Sequence, residues 1–107
     1  MKPDVRYARN GDVALAFQTV GEGPDLLLVL GYMSNIEYGW DWPSNAAFLR
    51  QLGRNRRLIL TDRRGSGLSD PFPLSEPPPL ETLVEDIRVV LDAAGSPRAT
   101  ILGCTKL

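Results

Sequence analysis

The sequence contains no histidine and a single cysteine, Cys104. Histidine is the commonest general base in enzymes and the commonest metal ligand, so its absence removes the usual source of both roles. One cysteine excludes an internal disulfide framework and a Cys-x-x-Cys metal site. We therefore expect this chain to hold no metal.

The chain also has little net charge and no long apolar run. The 12 basic and 13 acidic side chains give a net charge of −1, which provides no general attraction to nucleic acid or to an anionic membrane. The longest apolar run, residues 26–30, is too short to cross a bilayer, and the first residues contain no apolar signal-peptide region. These absences predict a cytoplasmic protein without a nucleic-acid or membrane partner.

Arginines are nevertheless concentrated around one apolar run. We interpret them as loop residues beside a buried strand rather than as a nucleic-acid surface, because no aromatic or RNA-binding signature accompanies them. The cluster consists of Arg54, Arg56, Arg57, Arg63 and Arg64.

The length of 107 residues allows one small domain, residues 1–107, and the hydrophobic fraction of 43% is typical of a packed core. The chain begins with two strand-like runs, VRYAR and VALAFQTV, on either side of the tripeptide NGD. Because Asn-Gly tolerates the backbone of a tight turn, these runs predict an antiparallel hairpin. Val13, Leu15 and Phe17 alternate with smaller or polar residues, as in a half-buried strand.

Three later runs, DLLLVLG, RRLILTD and RATILG, are apolar without alternation. This pattern is typical of parallel strands that are covered on both faces. Between the first two, Ser44 is a candidate N-cap and Gly53 a candidate end of a helix. A clear amphipathic pattern before Gly95 and Pro97 predicts a second helix. The fold class is therefore α/β, an N-terminal antiparallel hairpin followed by a mostly parallel sheet with flanking helices, in which ligands bind beyond the carboxyl ends of the strands.

The stretch TDRRGSGLSD, residues 61–70, is the most specific motif. Gly65 and Gly67 permit backbone conformations closed to other residues, and we expect Asp62 and Arg64 to pair and brace a sharp turn. A phosphate-binding role is disfavoured because no helix opens on these glycines and no Lys-Ser/Thr pair follows them. The earlier GEGP precedes its strand, so it is not a dinucleotide fingerprint, and no cofactor is expected.

With this motif the chain resembles the α/β-hydrolases, whose second parallel strand is commonly followed by Asp-x-Arg-Gly-x-Gly-x-Ser. Asp62, Arg64, Gly65, Gly67 and Ser69 match its fixed positions. The opening segment is similar to the entry hairpin and first parallel strand of that family. More narrowly, the chain resembles hydrolase-like domains that occur alone or joined to bacterial adenylate/guanylate cyclases and regulators. The resemblance spans essentially the whole chain but only the first half of the family domain, an incomplete α/β-hydrolase fold.

The resemblance also implies site residues. Leu30 replaces the histidine of the family's His-Gly segment, and Tyr32 takes the position of one oxyanion-hole N–H donor. At the nucleophile elbow, Gly103 matches the first glycine, Thr105 the nucleophile and Lys106 the second oxyanion donor.

The elbow departs from the family pattern. Leu107 stands where the second glycine belongs, and threonine's branched side chain crowds a tight turn. The family's catalytic acid and histidine lie later in the chain. Cys104 is disfavoured as a nucleophile, since no histidine activates it and its apolar strand suggests a buried structural thiol.

Three functions compete for this sequence. They are an ester- or acyl-type hydrolase, a non-catalytic module that binds a small-molecule ligand or acts as a sensor, and a truncated, catalytically incompetent hydrolase-like product. We favour the third. The strand in residues 98–104 would be an apolar edge, so self-association through it is also expected.

Overall fold

The computed structural model describes residues 2–31 and 34–104. The described chain forms one mixed sheet with the strand order β1-β2-β4-β3-β5, flanked by two α-helices. In chain order the elements are β1 (Arg6–Asn10), β2 (Val13–Val20), β3 (Asp25–Leu30), a 3-10 helix (Tyr38–Asp41), α1 (Pro43–Leu52), β4 (Arg57–Thr61), α2 (Leu80–Ala93) and β5 (Ala99–Cys104).

The N-terminal hairpin forms as predicted. β1 and β2 are antiparallel and Asn10 pairs with Val13, so Gly11 and Asp12 make the turn and Gly11 has a φ of 62°. The expectation that β2 is half-buried is wrong, because both faces of its middle are covered. Leu15 and Ala16 are 1% and 0% exposed on opposite faces. The reason is that β2 lies inside the sheet, where β4 extends it on the other side.

The parallel strands pair β4 with β3 and β3 with β5, which confirms the mostly parallel sheet. β3 and β4 are buried on both faces, as their unbroken apolar runs predict. For β5 that prediction is wrong. Ile101 and Leu102 are 53% and 40% exposed, because β5 is an outer strand of the described sheet and α2 packs at the other side, against β1 and β2.

Each face of the sheet has its own core. Phe17, Leu27 and Ile59 pack with Val90 of α2 on one face. Leu28, Leu58 and Leu60 pack with Leu49 of α1 and with Ile36 on the other. Since the parallel register pairs Leu27 with Ile101 and Leu28 with Leu102, the two exposed side chains of β5 continue these two faces.

The helix boundaries follow local chemistry. Ser44 is not the N-cap of α1. Trp42 takes that position, because Pro43 begins the helix and its fixed φ and missing N–H suit a first helical residue. The end of α1 at Gly53 is confirmed, and the Gly53 N–H donates to the Leu49 carbonyl at 2.9 Å.

A partly buried ion pair joins the amino ends of β3 and β4 to α2. Arg57 donates through Nε and Nη2 to Asp25 at 2.6 and 3.0 Å, and through Nη1 to the Ala94 carbonyl at 2.9 Å. Hydrogen bonds from Arg57 and from Ser96 hold the pKa of Asp25 below its ordinary value. The same guanidinium therefore neutralises a carboxylate and caps the carboxyl end of a helix.

Candidate functional site

The loops that follow β3, β4 and β5 begin at one edge of the sheet. The register places Val29 beside Thr61 on one side and beside Gly103 on the other. Because the strands are parallel, their carboxyl ends lie together, which is where open α/β sheets bind ligands. The structure therefore places the predicted motif and Gly103, the first position of the predicted elbow, at the same edge of the sheet, on either side of the end of β3.

Asp62 is the centre of this edge. Its side chain is 1% exposed, and its carboxylate accepts three hydrogen bonds. Oδ1 accepts from Ser34 Oγ at 2.7 Å, and Oδ2 accepts from the backbone N–H groups of Ile36 and Leu68 at 3.2 and 3.0 Å. Asp62 thus fastens the segment after β3 to the loop after β4. We call these three bonds the Asp62 clasp.

The expected pairing of Asp62 with Arg64 is wrong. Arg64 reaches away from the turn and donates through Nε and Nη2 to Asp86 of α2 at 2.9 and 2.8 Å. Asp86 also accepts from Asn10 Nδ2 at 2.7 Å. The Asp86 carboxylate raises the pKa of Arg64 above its ordinary value. The pair therefore anchors α2 to the sheet and the hairpin, a role that depends on an element distant in sequence.

The two glycines of the motif are required for space as well as for backbone freedom. Gly67 has a φ of 51°, and a Cβ there would overlap the Asp62 carboxylate and the Ser34 carbonyl. Gly65 has a φ of 87°, and a Cβ would overlap the ring of Phe72. Between them the buried Ser66 hydroxyl has no hydrogen-bond partner within residues 2–31 and 34–104, and nothing in the structure explains it.

Ser69 and Asp70 join the motif to β2. Ser69 Oγ donates to the Asp62 carbonyl at 2.7 Å and accepts from the Ala16 N–H at 2.8 Å. Asp70 accepts at its side chain from the Ala14 N–H at 2.9 Å, and its own N–H donates to the Ala14 carbonyl at 2.9 Å. The Ser69 hydroxyl is therefore occupied by the backbone on both sides, and its part in the motif is structural.

Sequence reasoning missed a second fastening of the segment after β3. Gln18 is fully buried in β2, where its Oε1 accepts from Trp40 Nε1 at 3.0 Å and its Nε2 donates to the Pro3 carbonyl at 3.0 Å. A lone glutamine inside an apolar strand was the available signal, since a buried amide needs partners. Ser34 was missed as well, because nothing local marks it as a partner of Asp62.

Three predicted site residues, Tyr32, Thr105 and Lys106, lie outside the described residues. Gly103 lies in β5 and is exposed. A Cβ added to Gly103 would have no atom of the described residues within 4 Å, apart from its chain neighbours. Cys104 ends β5 in the register opposite Leu30.

An uncharged groove of about 540 Å³ opens beside the segment after β3, on the α1 side of the sheet. Its apolar wall includes Leu28, Leu49 and Trp42, and none of the described residues that line it is charged. Its polar wall includes Asn45, whose Nδ2 donates to the Gly39 carbonyl at 3.0 Å, and Asn35. A groove of this volume is in the range of small-molecule sites, and its lining suits an uncharged, largely apolar molecule.

No helix in the described part of the chain is long and apolar enough to cross a membrane. The same part of the chain holds no group of three or more histidine, cysteine, aspartate or glutamate residues that could bind a metal ion.

Comparison with solved structures decides the fold. A hydrolase from Pseudomonas aeruginosa superposes with a TM-score of 0.78 at 31% identity, over 94% of this chain and 36% of that one. An α/β hydrolase from Sphaerobacter thermophilus superposes with a TM-score of 0.65 at 30% identity, over 94% of this chain and 35% of that one. The fold is that of the α/β-hydrolases.

A curated relative agrees with this fold. The mouse protein named epoxide hydrolase 4 is 31% identical over 101 residues, which are 91% of this chain and 26% of that protein. No protein-family profile matches the sequence. This chain therefore spans about a quarter to a third of the length of these proteins. The α/β-hydrolase fold predicted from the sequence is confirmed, and the narrower resemblance to cyclase-linked domains stays a prediction.

Proposed function

We propose that this chain forms the oxyanion-side part of a hydrolase site for esters or related acyl compounds, and that the 107-residue polypeptide does not turn over substrate by itself. The Asp62 clasp carries the proposal. It holds Ser34 and Ile36, which follow the oxyanion-donor position at Tyr32, against a rigid loop. Fixed donors stabilise charge that develops in a transition state because no reorganisation is needed during the reaction.

The lack of turnover follows from the residues available. Acyl transfer by a hydroxyl nucleophile needs an adjacent base to take its proton, and the sequence contains no histidine. Thr105 is the only hydroxyl at the elbow position, and the sequence has no histidine to serve as its base. The chain can therefore contribute donors and a groove wall to a site, but not proton transfer.

The proposal also assigns a role to each predicted site residue. Tyr32 and Lys106 would donate backbone N–H groups, Thr105 would occupy the nucleophile position, and the uncharged groove would accept an apolar part of a small-molecule ligand. A cytoplasmic location, truncation, and a ligand-binding or sensory role related to cyclase-linked domains stay predictions.

Hydrolysis of p-nitrophenyl acetate and p-nitrophenyl butyrate tests the proposal. We expect the 107-residue polypeptide and its Thr105→Ala variant to release p-nitrophenol at the same rate as buffer. The variant is the control for adventitious lysine or hydroxyl reactivity elsewhere on the chain. A clear activity that Thr105→Ala abolishes would contradict the proposed lack of turnover.

A further inference from the structure

Asn10 and Gly11 form the one Asn-Gly step in the sequence, at the turn of the hairpin. Gly11 has a φ of 62°, and nothing lies within 4 Å of the position where a Cβ would stand. Gly11 has no side chain of its own, and the space where one would stand is open. Such a step is the most reactive sequence context for intramolecular attack on an asparagine side chain.

The Asn10 side chain is also a structural contact. Its Nδ2 donates to Asp86 Oδ1 at 2.7 Å, and Asp86 is the carboxylate that holds Arg64. Asp86 is 6% exposed, so this network is largely shielded from water. The bond fixes Asn10 in the donor orientation and keeps its amide directed toward α2 rather than toward Gly11.

We propose that Asn10 is a site of spontaneous deamidation, and that the modification breaks its hydrogen bond to Asp86 and so weakens the attachment of α2 to the hairpin. The Gly11 nitrogen attacks Asn10 Cγ and loses its proton to water, the Cγ–Nδ2 bond breaks, and ammonia leaves. Water then opens the resulting succinimide to aspartate or isoaspartate. No oxidant or reductant is required.

The structure makes this change effectively one-way. The donor Nδ2 is replaced by an acceptor oxygen of a carboxylate, which faces Asp86 Oδ1 across hydrogen-bond distance. Two carboxylates at that distance in a shielded site repel each other and compete for Arg64. The hydrogen bond from residue 10 is therefore lost, and Arg64 remains as the side-chain partner of Asp86.

The same contact controls how fast the reaction proceeds. While Asn10 donates to Asp86 its Cγ is held away from Gly11, so ring closure waits for local opening of the hairpin and α2. Deamidation at Asn10 should therefore be slower in the folded protein than in the unfolded chain.

Peptide mass spectrometry after incubation in mildly alkaline buffer, with and without urea, tests the site. We expect the mass gain of an amide-to-acid exchange at Asn10 in both conditions, at least about tenfold slower without urea because opening limits the folded rate. Asn35, Asn45 and Asn55, which do not precede glycine, are internal controls. Asn10→Gln, whose longer amide closes a ring poorly, should abolish the gain. Absence of the gain in the folded protein, or equal rates in both conditions, would overturn the proposal.

A matched pair of variants tests the consequence. Asn10→Asp should lower the melting temperature and speed amide exchange in α2. Asn35→Asp is the control, because the contacts of the Asn35 side chain with the described residues use its oxygen, which accepts from the Glu37 and Tyr38 N–H groups at 3.0 Å each and is retained in aspartate. Equal melting temperatures of Asn10→Asp and the unchanged protein would refute the proposal that this hydrogen bond attaches α2 to the hairpin.

Discussion

At the scale of single residues, buried polar side chains in this protein act as fasteners rather than as reactive groups. Four buried side chains each connect two segments through hydrogen bonds. They are Asp62, Ser69, Gln18 and Asp86. A buried polar group without such partners would be costly, so these contacts constrain where each loop lies. Sequence reasoning identified Asp62, Arg64 and Ser69 as motif residues but not their partners. Partners contributed by distant elements leave no local pattern.

Gly67 gives a direct test of this packing. Gly67→Ala should lower the free energy of unfolding by more than Gly95→Ala. Both positions have a positive φ, 51° and 69°, so each alanine carries backbone strain of about 1–3 kcal/mol. Only at Gly67 would the added Cβ also overlap Asp62 and Ser34, whereas nothing lies within 4 Å at Gly95. Urea unfolding of both variants measures the difference, and equal losses would mean that the Asp62 clasp tolerates the extra methyl group.

At the scale of elements, the hydrophobic pattern predicts whether a segment is a strand or a helix better than it predicts how deeply that segment is buried. The unbroken apolar runs correctly indicated parallel strands, since pattern reports the sheet environment that a strand prefers. Pattern alone does not report neighbours. The pattern of β2 predicts a half-buried strand, but both of its faces are buried. The pattern of β5 predicts a strand buried on both faces, but Ile101 and Leu102 are exposed. Both errors come from the position of the strand within the sheet.

The exposed β5 leads to our proposal that the purified chain self-associates through residues 98–104. An outer strand offers unpaired N–H and C=O groups, and here apolar side chains accompany them on both faces. Ile101→Lys should reduce the associated fraction in sedimentation velocity. Leu74→Lys is the matched control, because Leu74 is 92% exposed and lies outside the helices and strands. Equal effects of the two substitutions, or a monodisperse unchanged protein, would count against the edge.

At the scale of the whole molecule, the described chain is a sheet with a core on each face and one organised edge. The α/β class and the motif loop were predictable because they rest on periodicity and glycine placement, both local properties. The connections of that edge through Ser34, Gln18 and Trp40 were not, because they depend on which segments the folded sheet brings together. The account of function therefore depends on whether Asp62 holds the segment after β3 in place.

Amide hydrogen exchange at Ile36 and Leu68 measures that directly. Both N–H groups donate to Asp62 Oδ2, so Asp62→Ala, which removes the carboxylate that the two amides share, should speed their exchange together, by about tenfold or more if a charge-assisted hydrogen bond is lost. Asp25→Asn, a mostly buried and ion-paired aspartate at the opposite end of the strands, is the control and should leave both amides protected. Unchanged protection of both amides in Asp62→Ala, or loss of protection at only one of them, would contradict the Asp62 clasp.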